Sequence, residues 1–406
     1  MPTHADYTIG WICALTIEMT AAVAMLDEEH PPIKQHERDT NSYTLGRIGE
    51  HNVVITCLAA GKTGTHTAAI VGTHLTRSFP RLRFVLMVGI GGGCPSDKKD
   101  IRLGDIIVSK PGPKNGGVVQ YDFGRTVEGG RFVPTGSLNR PPTLLLTALA
   151  KLQSKTELED FWYVRYLSNI PRPLVEAKFG YPGAEKDLLF EPKYGHIEGD
   201  GCRNCDRGKL KIREDRDSHY PHLFSGTVIC GNQFMMDGET RDRIASKFGG
   251  LCFEMEGAGL MDDFPCLLIR GVSDYADTHK EKRWRKYAAL AAAAFTTELL
   301  SVISAEGVTA MPPGTSDSAS NVPLSPAPSS PQNSFLCFSK EFLQLSSISL
   351  GRLVIDTRQP WEDYCAVTPI PTQNEIGILL EPHYKTSLRL QESRSFTRNL
   401  FNIFSL

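Results

Sequence analysis

The chain has almost no net charge: 44 Lys and Arg stand against 46 Asp and Glu, a formal charge of −2. It therefore lacks the basic footprint that neutralises a phosphate backbone, and nucleic acid is not an expected partner. No apolar run approaches the roughly eighteen residues that would span a bilayer, so no membrane partner is expected either. The opening "MPTHADYTIG" lacks the basic start and apolar stretch of a secretory leader, and a cytoplasmic location is the expectation. The ten cysteines do not read as a disulfide framework. Several lie inside apolar runs such as "GWICAL" and "VVITCLAAG", where reduced core thiols belong. There is no internal repeat.

What the chain does have is alternation of short apolar strands with helical patterns. "YTIGWICAL" reads as a strand, and "TIEMTAAVAMLDEEH" as a helix capped by Thr16 and stopped by Pro31-Pro32. "YTLGRIG" and "HNVVITCLA" read as a hairpin turning near Gly49-Glu50. "GTHTAAIVGTHLTRSF" reads as a second helix, "RFVLMVGIGGG" and "DIIVSK" as strands. Farther on come "SGTVICGN" (strand), "DGETRDRIASKFG" (helix), "LCFEMEGAGLMDDF" (strand into helix), "PCLLIRGVSD" (strand) and the Ala-rich helix "RWRKYAALAAAAFTTELLSVIS". This implies an α/β class, a single domain over residues 1–306 with a twisted mixed sheet flanked by helices. Residues 111–222 read as a long irregular insertion that includes a helix after Pro142 in "RPPTLLLTALAKLQSK", 307–334 as a Pro/Ser-rich disordered linker, and 335–406 as a tail without assignable periodicity.

Two glycine motifs invite a phosphate reading and fail it. "GKTG" (61–64) would need a glycine where Thr56 stands to make a P-loop. It is read as a glycine turn that opens a helix, whose N-terminus can face an anion. "GIGGG" (89–93) lacks the acidic residue and βαβ context of a dinucleotide fingerprint. Its glycines say only that backbone closely approaches a ligand or a neighbouring element.

The carboxylates carry more. In "CFEMEG" an extended chain would turn Glu254 and Glu256 to one side, with Phe253 and Met255 on the other. Taken alone, this is a sheet edge with solvated glutamates. But "LLIRGVSDYAD" also runs from an apolar strand into Ser273-Asp274, and "ICALTIEM" puts Glu18 just past another strand. Three such endings predict an acidic cluster at the carboxyl edge of the sheet, where open α/β sheets bind ligands. A cluster of that kind needs a cationic partner or a cationic transition state.

The stretches "GWICALTIEMTAA", "VGIGGG…RLGDIIVS", "SGTVICGNQFMMDG", "CFEMEGAGL" and "IRGVSDYAD" resemble, in order, the nucleoside phosphorylase/nucleosidase family. The likeness is to methylthioadenosine/S-adenosylhomocysteine nucleosidases and to the nucleosidase-type module of fungal immune-receptor-like proteins. It covers residues 7–304, excluding 111–222. The resemblance implies cleavage of a purine N-glycosidic bond. It makes Glu256 the ligand of the ribose hydroxyls, Asp274 the acid that protonates the base, and Ser273 its orienter. Glu18 becomes the base that activates water, and Phe234 the stacking aromatic beside Met235. Met255, Gly91 and Gly92 join the substrate-binding set, and Glu254 is left as a supporting or structural residue. Asp274 would need its pKa raised by burial or by nearby glutamates to act as an acid at neutral pH.

Family phosphorylases carry an early Gly-Asp-Pro-x-Arg phosphate loop. This chain has "ALTIEM" there, and Ile90 where a Ser or Thr would face phosphate or water. Water is therefore the expected nucleophile, with a phosphorylase and a non-catalytic nucleoside-sensing module as rivals. The resemblance also implies a homo-oligomer, and the mechanism requires no metal or organic cofactor. Cys202 and Cys205 form one C-x-x-C near His196, His219 and His222, one pair where a structural zinc site takes four ligands. The basic residues around them (Arg203, Arg207, Lys209, Lys211, Arg213, Arg216), and those from His279 to Arg285, are either solvated charge or a lid over an anionic 5′ group.

Overall fold

A computed structural model describes residues 2–158, 164–168, 177–199, 201–280 and 282–313, with the backbone of 354–356, 376–381 and 384–389. The chain divides into two compact units, Met1–Val322 and Pro323–Leu406.

In the first unit, the elements in chain order begin with β1 (Ile9–Cys13), α1 (Thr16–Ala24), β2 (Glu28–His30), β3 (Tyr43–Ile48), β4 (His51–Cys57), α2 (Thr65–Ser78), β5 (Phe84–Gly93) and β6 (Ile106–Ser109). Then come β7 (Val118–Gln120), the β8–β9 pair (Gly124–Val127, Arg131–Pro134), α3 (Thr143–Thr156) and α4 (Val164–Ser168). The unit is completed by β10 (Leu223–Cys230), α5 (Gly238–Phe248), β11 (Gly250–Glu254), α6 (Ala258–Met261), β12 (Cys266–Asp274), α7 (Trp284–Ser301) and α8 (Ala305–Ala310).

The main sheet runs β11-β10-β6-β12-β5-β1-β4-β3-β2, with β7 alongside β10. It is mixed: β1 is parallel to β4 and β5, β5 is parallel to β12, and β12 is antiparallel to β6. The far end of β5 also bonds to β11, with Gly93 opposite Cys252 and Gly92 opposite Phe253. Strands β5, β12, β6, β10 and β11 thus close into a ring.

The two faces of the sheet are covered separately. Phe84, Leu86 and Val88 of β5 join a core with α1, α3 and α7, whereas Val85 and Met87 join one with α2 and α6. This is the period-two split of a strand buried on both faces, and it explains why the strand reads as continuously apolar. Helix α7 lies so close to β12 that a Cβ on Gly271 would come within 1.9 Å of the Ala288 carbonyl oxygen, and its alanines suit that approach.

The fold class expected from the sequence is the one found, with local differences. Helix α1 ends at Ala24, and the polar "EEH" beyond it pairs with β3 as an edge strand. Thr16 is the first residue of α1 rather than its cap: Leu15 holds the cap position, and Glu18 reaches back to the Ala14 and Leu15 amides. Within 111–222, α3 sends Leu145, Leu149 and Leu152 into the core. The stretch expected as linker from 307 is helical to Ala310, with Val308 buried; residues 314–334 lie outside the described residues. In the second unit, Val354–Asp356, Ile376–Glu381 and Tyr384–Arg389 form an antiparallel sheet where the sequence showed no periodicity. Among the described residues no helix is long and apolar enough to cross a membrane.

Candidate active site

The carboxyl ends of β1, β5, β11 and β12 meet around a cavity of about 160 Å³. Its lining includes Glu18, Gly91, Gly92, Phe234, Met235, Glu254, Met255, Glu256, Ser273 and Asp274, so every sequence-predicted site residue faces one space. A larger cleft of about 960 Å³ lies elsewhere on the domain, and none of these carboxylates lines it.

At the centre is a residue that the sequence reading passed over. Arg270, in the middle of β12, is fully buried. Its Nη2 lies 2.5 Å from Glu254 Oε2 and 3.6 Å from Glu256 Oε2. A Cβ on Gly89 would sit 2.5 Å from both Arg270 Nη1 and Glu18 Oε1, so the guanidinium and the third carboxylate flank a glycine with no room to spare. Burial disfavours the Arg270 cation, but Glu254, Glu256 and Glu18 outweigh it and hold its pKa above the usual arginine value. The cationic partner demanded by the acidic cluster is therefore a residue of "IRGVSD" itself, three residues before Ser273. Among the described residues, Arg270 Nε and Nη1 are buried without a hydrogen-bond partner.

Each carboxylate has its own setting. Strand β11 ends at Glu254, so period-two alternation does not extend to Glu256. A bend brings both onto Arg270 instead. Glu254 also accepts from the backbone amides of Glu256 (3.1 Å) and Gly257 (2.9 Å), which makes it the brace of the bend. Glu256 Oε1 accepts from Gly64 N at 3.1 Å. That amide belongs to the "GKTG" turn, where Gly64 has φ of 93°, and α2 begins at the next residue. The anion at this helix N-terminus is Glu256. Burial raises the Glu256 pKa against the opposing pull of Arg270, with Glu254 adding to the rise, and it reaches about 7.

Glu18 Oε2 accepts from Ala14 N (2.7 Å) and Leu15 N (2.9 Å), and Oε1 from Ile90 N (2.8 Å). Position 90 thus serves through its amide, which isoleucine supplies as well as serine. Burial raises the Glu18 pKa, opposed by Arg270 and these three amides.

Asp274 sits among donors. The register of β12 against β5 shifts between Val272 and Asp274, which swings the side chain aside. Its Oδ2 accepts from Ser273 Oγ (3.0 Å), its Oδ1 accepts from Ala276 N (2.9 Å), and Lys280 Nζ lies 3.2 Å from Oδ1. Ala276 takes a positive φ of 51°, a costly conformation for a residue with a Cβ, to point that amide inward. Lys280 Nζ also lies 3.6 Å from the centroid of the Phe234 ring, and Phe234 is 54% exposed. Gly92 is needed here, because a Cβ would meet Ala276 Cβ at 2.8 Å and Asp274 Oδ1 at 3.0 Å.

Of the basic residues considered as a lid, Lys280 and Arg285 line the cavity. Arg213 and Arg216 do not; they are held by Asp187 and Asp105 and line a different cleft.

Residues 183–303, which include β10 to β12 and α5 to α7, match the family model of the phosphorylase superfamily. The chain carries a phosphorylase-superfamily domain. Phe234, Glu256, Arg270 and Asp274 lie inside the matched part, and Glu18 outside it. The chain with this domain is 45% identical over 304 residues to a nucleotide-binding leucine-rich repeat (NLR)-like protein of Hyaloscypha variabilis, covering 75% of this chain and 30% of that protein. It is 23% identical over 302 residues to the 5′-methylthioadenosine/S-adenosylhomocysteine nucleosidase of Mycobacterium tuberculosis (73% of this chain, 96% of that one). It is 25% identical over 299 residues to the ATP nucleosidase Cap17 of Escherichia coli (71% and 50%). The chain therefore spans less than a third of the NLR-like relative and half of Cap17.

Proposed function

We propose that this chain hydrolyses the N-glycosidic bond of a purine nucleoside or nucleotide, releasing the free base and a ribose product. The observation that carries the reading is the convergence of Glu18, Glu256 and Asp274 in one cavity, with the buried Arg270 beside the two glutamates. In the proposed reaction a water held by Glu18 attacks the anomeric carbon as the bond to the base nitrogen breaks. The water proton passes to Glu18, the bonding electrons leave with the base, and Asp274 in its acid form gives the base a proton. Three carboxylates and one guanidinium leave a local formal charge of −2 (Glu18, Glu254 and Glu256 against Arg270), which favours the positive charge that develops on the sugar. Glu256 would accept hydrogen bonds from the ribose hydroxyls. A raised pKa suits Glu18 to the base role, since proton transfer is efficient when the pKa approaches the working pH.

Phe234 offers a face for stacking the base, although the Lys280 ammonium already covers one side. Arg285 in the lining favours an anionic 5′ group, and so a nucleotide over a methylthio-nucleoside. The NLR-like relative favours a second reading, in which the same pocket senses a nucleoside for a larger receptor without turning it over.

The test is to incubate the full chain with adenosine, methylthioadenosine, AMP and ATP, with and without phosphate, and to measure free adenine. Release in phosphate-free buffer supports hydrolysis, and release only with phosphate means a phosphorylase. Ligand-induced thermal stabilisation without adenine would leave the sensing reading. Asp274→Asn should lower turnover by roughly 10²- to 10⁴-fold, and an equally active variant removes its acid role.

A further inference from the structure

Outside the cavity, a second cluster joins two distant parts of the chain. Cys202 and Cys205 lie in the 111–222 segment, and His279 lies five residues past Asp274. Folding brings His279 Nδ1 to 3.6 Å from Cys202 Sγ and 3.8 Å from Cys205 Sγ. Ligand atoms of His196, Cys202 and Cys205 all fall within 4.8 Å of one another. Both cysteines and His279 are buried, and the ring of His196 lies 5.5 Å from that of His279.

We propose that Cys202, Cys205, His196 and His279 form a structural Cys2His2 site for zinc that pins the 190–210 segment to the loop after β12. Zn–S near 2.3 Å and Zn–N near 2.1 Å at a tetrahedral angle put a sulfur and a nitrogen ligand about 3.6 Å apart, the separation seen at His279. Both imidazoles are held by backbone carbonyls. His279 Nε2 lies 2.8 Å from the Tyr194 carbonyl, and His196 Nε2 lies 3.1 Å from the Gly201 carbonyl. An N–H donated to the Tyr194 carbonyl leaves for the metal the Nδ1 of His279, the nitrogen that faces both sulfurs, and such outer support fixes a histidine ligand's tautomer. Phe190 stacks on His279 at 4.1 Å between centroids and walls the cluster with Leu188 and Leu210. Two sulfurs and two imidazole nitrogens in a tetrahedral set select zinc over magnesium or calcium. Binding would displace one proton from each thiol.

The site also bears on the cavity, because Lys280 follows His279 directly and projects to Asp274 and Phe234. The metal proposal does not depend on the proposed hydrolysis.

The experiment is metal analysis of the purified full chain, followed by release with a mercurial and replacement by cobalt(II). The expected result is about one zinc per chain and, after exchange, tetrahedral cobalt absorption with thiolate-to-metal charge-transfer bands. Cys205→Ser and His279→Ala should each lower retained zinc at least about tenfold. Should those variants fail to fold, the cobalt spectrum of the unaltered chain decides. A metal-free chain whose cobalt spectrum lacks thiolate bands overturns the proposal. So does a Cys202–Cys205 disulfide found by alkylation and mass spectrometry in freshly purified protein.

Discussion

Replacing Arg270 by methionine keeps most of the side-chain volume and removes the charge that compensates three buried carboxylates. Glu254 at 2.5 Å and Glu256 at 3.6 Å would lose their ion-pair partner, and Glu18 its nearby cation. Breaking a buried pair from one side costs about 3–5 kcal/mol, because the partner charge remains buried without compensation. At about 2–4 °C per kcal/mol for a domain of a few hundred residues, the melting temperature should fall by roughly 6–20 °C at pH 8. The loss should depend on pH in a known sense. Burial already raises Glu18 and Glu256, and Arg270 opposes that rise, so its removal lifts both further. Protonation then relieves the repulsion, and the Glu256 part of the deficit should shrink as pH falls from 8 toward about 7. Urea denaturation of parent and R270M at pH 5, 6, 7 and 8 reads both effects, and R270M/E254Q tests whether the partners are coupled. A deficit that stays the same across this range, or one below about 1 kcal/mol at pH 8, would refute the charge argument and leave Arg270 as packing.

Glu256→Gln tests the same cluster from the acid side. A carboxyl raised from 4.5 to about 7 contributes stability below its unfolded value and loses it as pH rises through 7. Relative to the parent, the variant should therefore gain stability between pH 4.5 and 7, on the order of 3 kcal/mol in full, readable by thermal denaturation. Gly89→Ala forces a Cβ to within 2.5 Å of Arg270 Nη1 and Glu18 Oε1. It should cost about 1–3 kcal/mol and lower any adenine release, and a variant with the parent's melting temperature would mean the neighbours yield freely.

The acids were legible because each closes an apolar run: "ICAL", "LCFE" and "LLIRGVSD" mark strands by composition, and polarity returns where the strand leaves the sheet. Arg270 was not, because a single cation inside such a run looks like a strand interior until the burial of Glu254 is known. The carboxylates named its need but not its place. His279 escaped as a metal-ligand candidate for a different reason. It stands 74 residues beyond Cys205, across β10, β11 and β12, and only the folded path of those strands brings it back. The edge strand "EEH" follows no apolar period, since its order comes from pairing with β3. The contact of β5 with β11 was equally hidden, because "GIGGG" reports close approach without saying to what.

That last contact has a mechanical consequence. A hoop of strands cannot open at one seam without disturbing every other, so the wall bearing Asp274 and the wall bearing Glu254 cannot drift apart by fraying. The amide proton of Cys94, donated across this seam to the Leu251 carbonyl at 2.8 Å, should then exchange with solvent only when the whole barrel-like body comes undone, which makes it a sentinel for global rather than local opening.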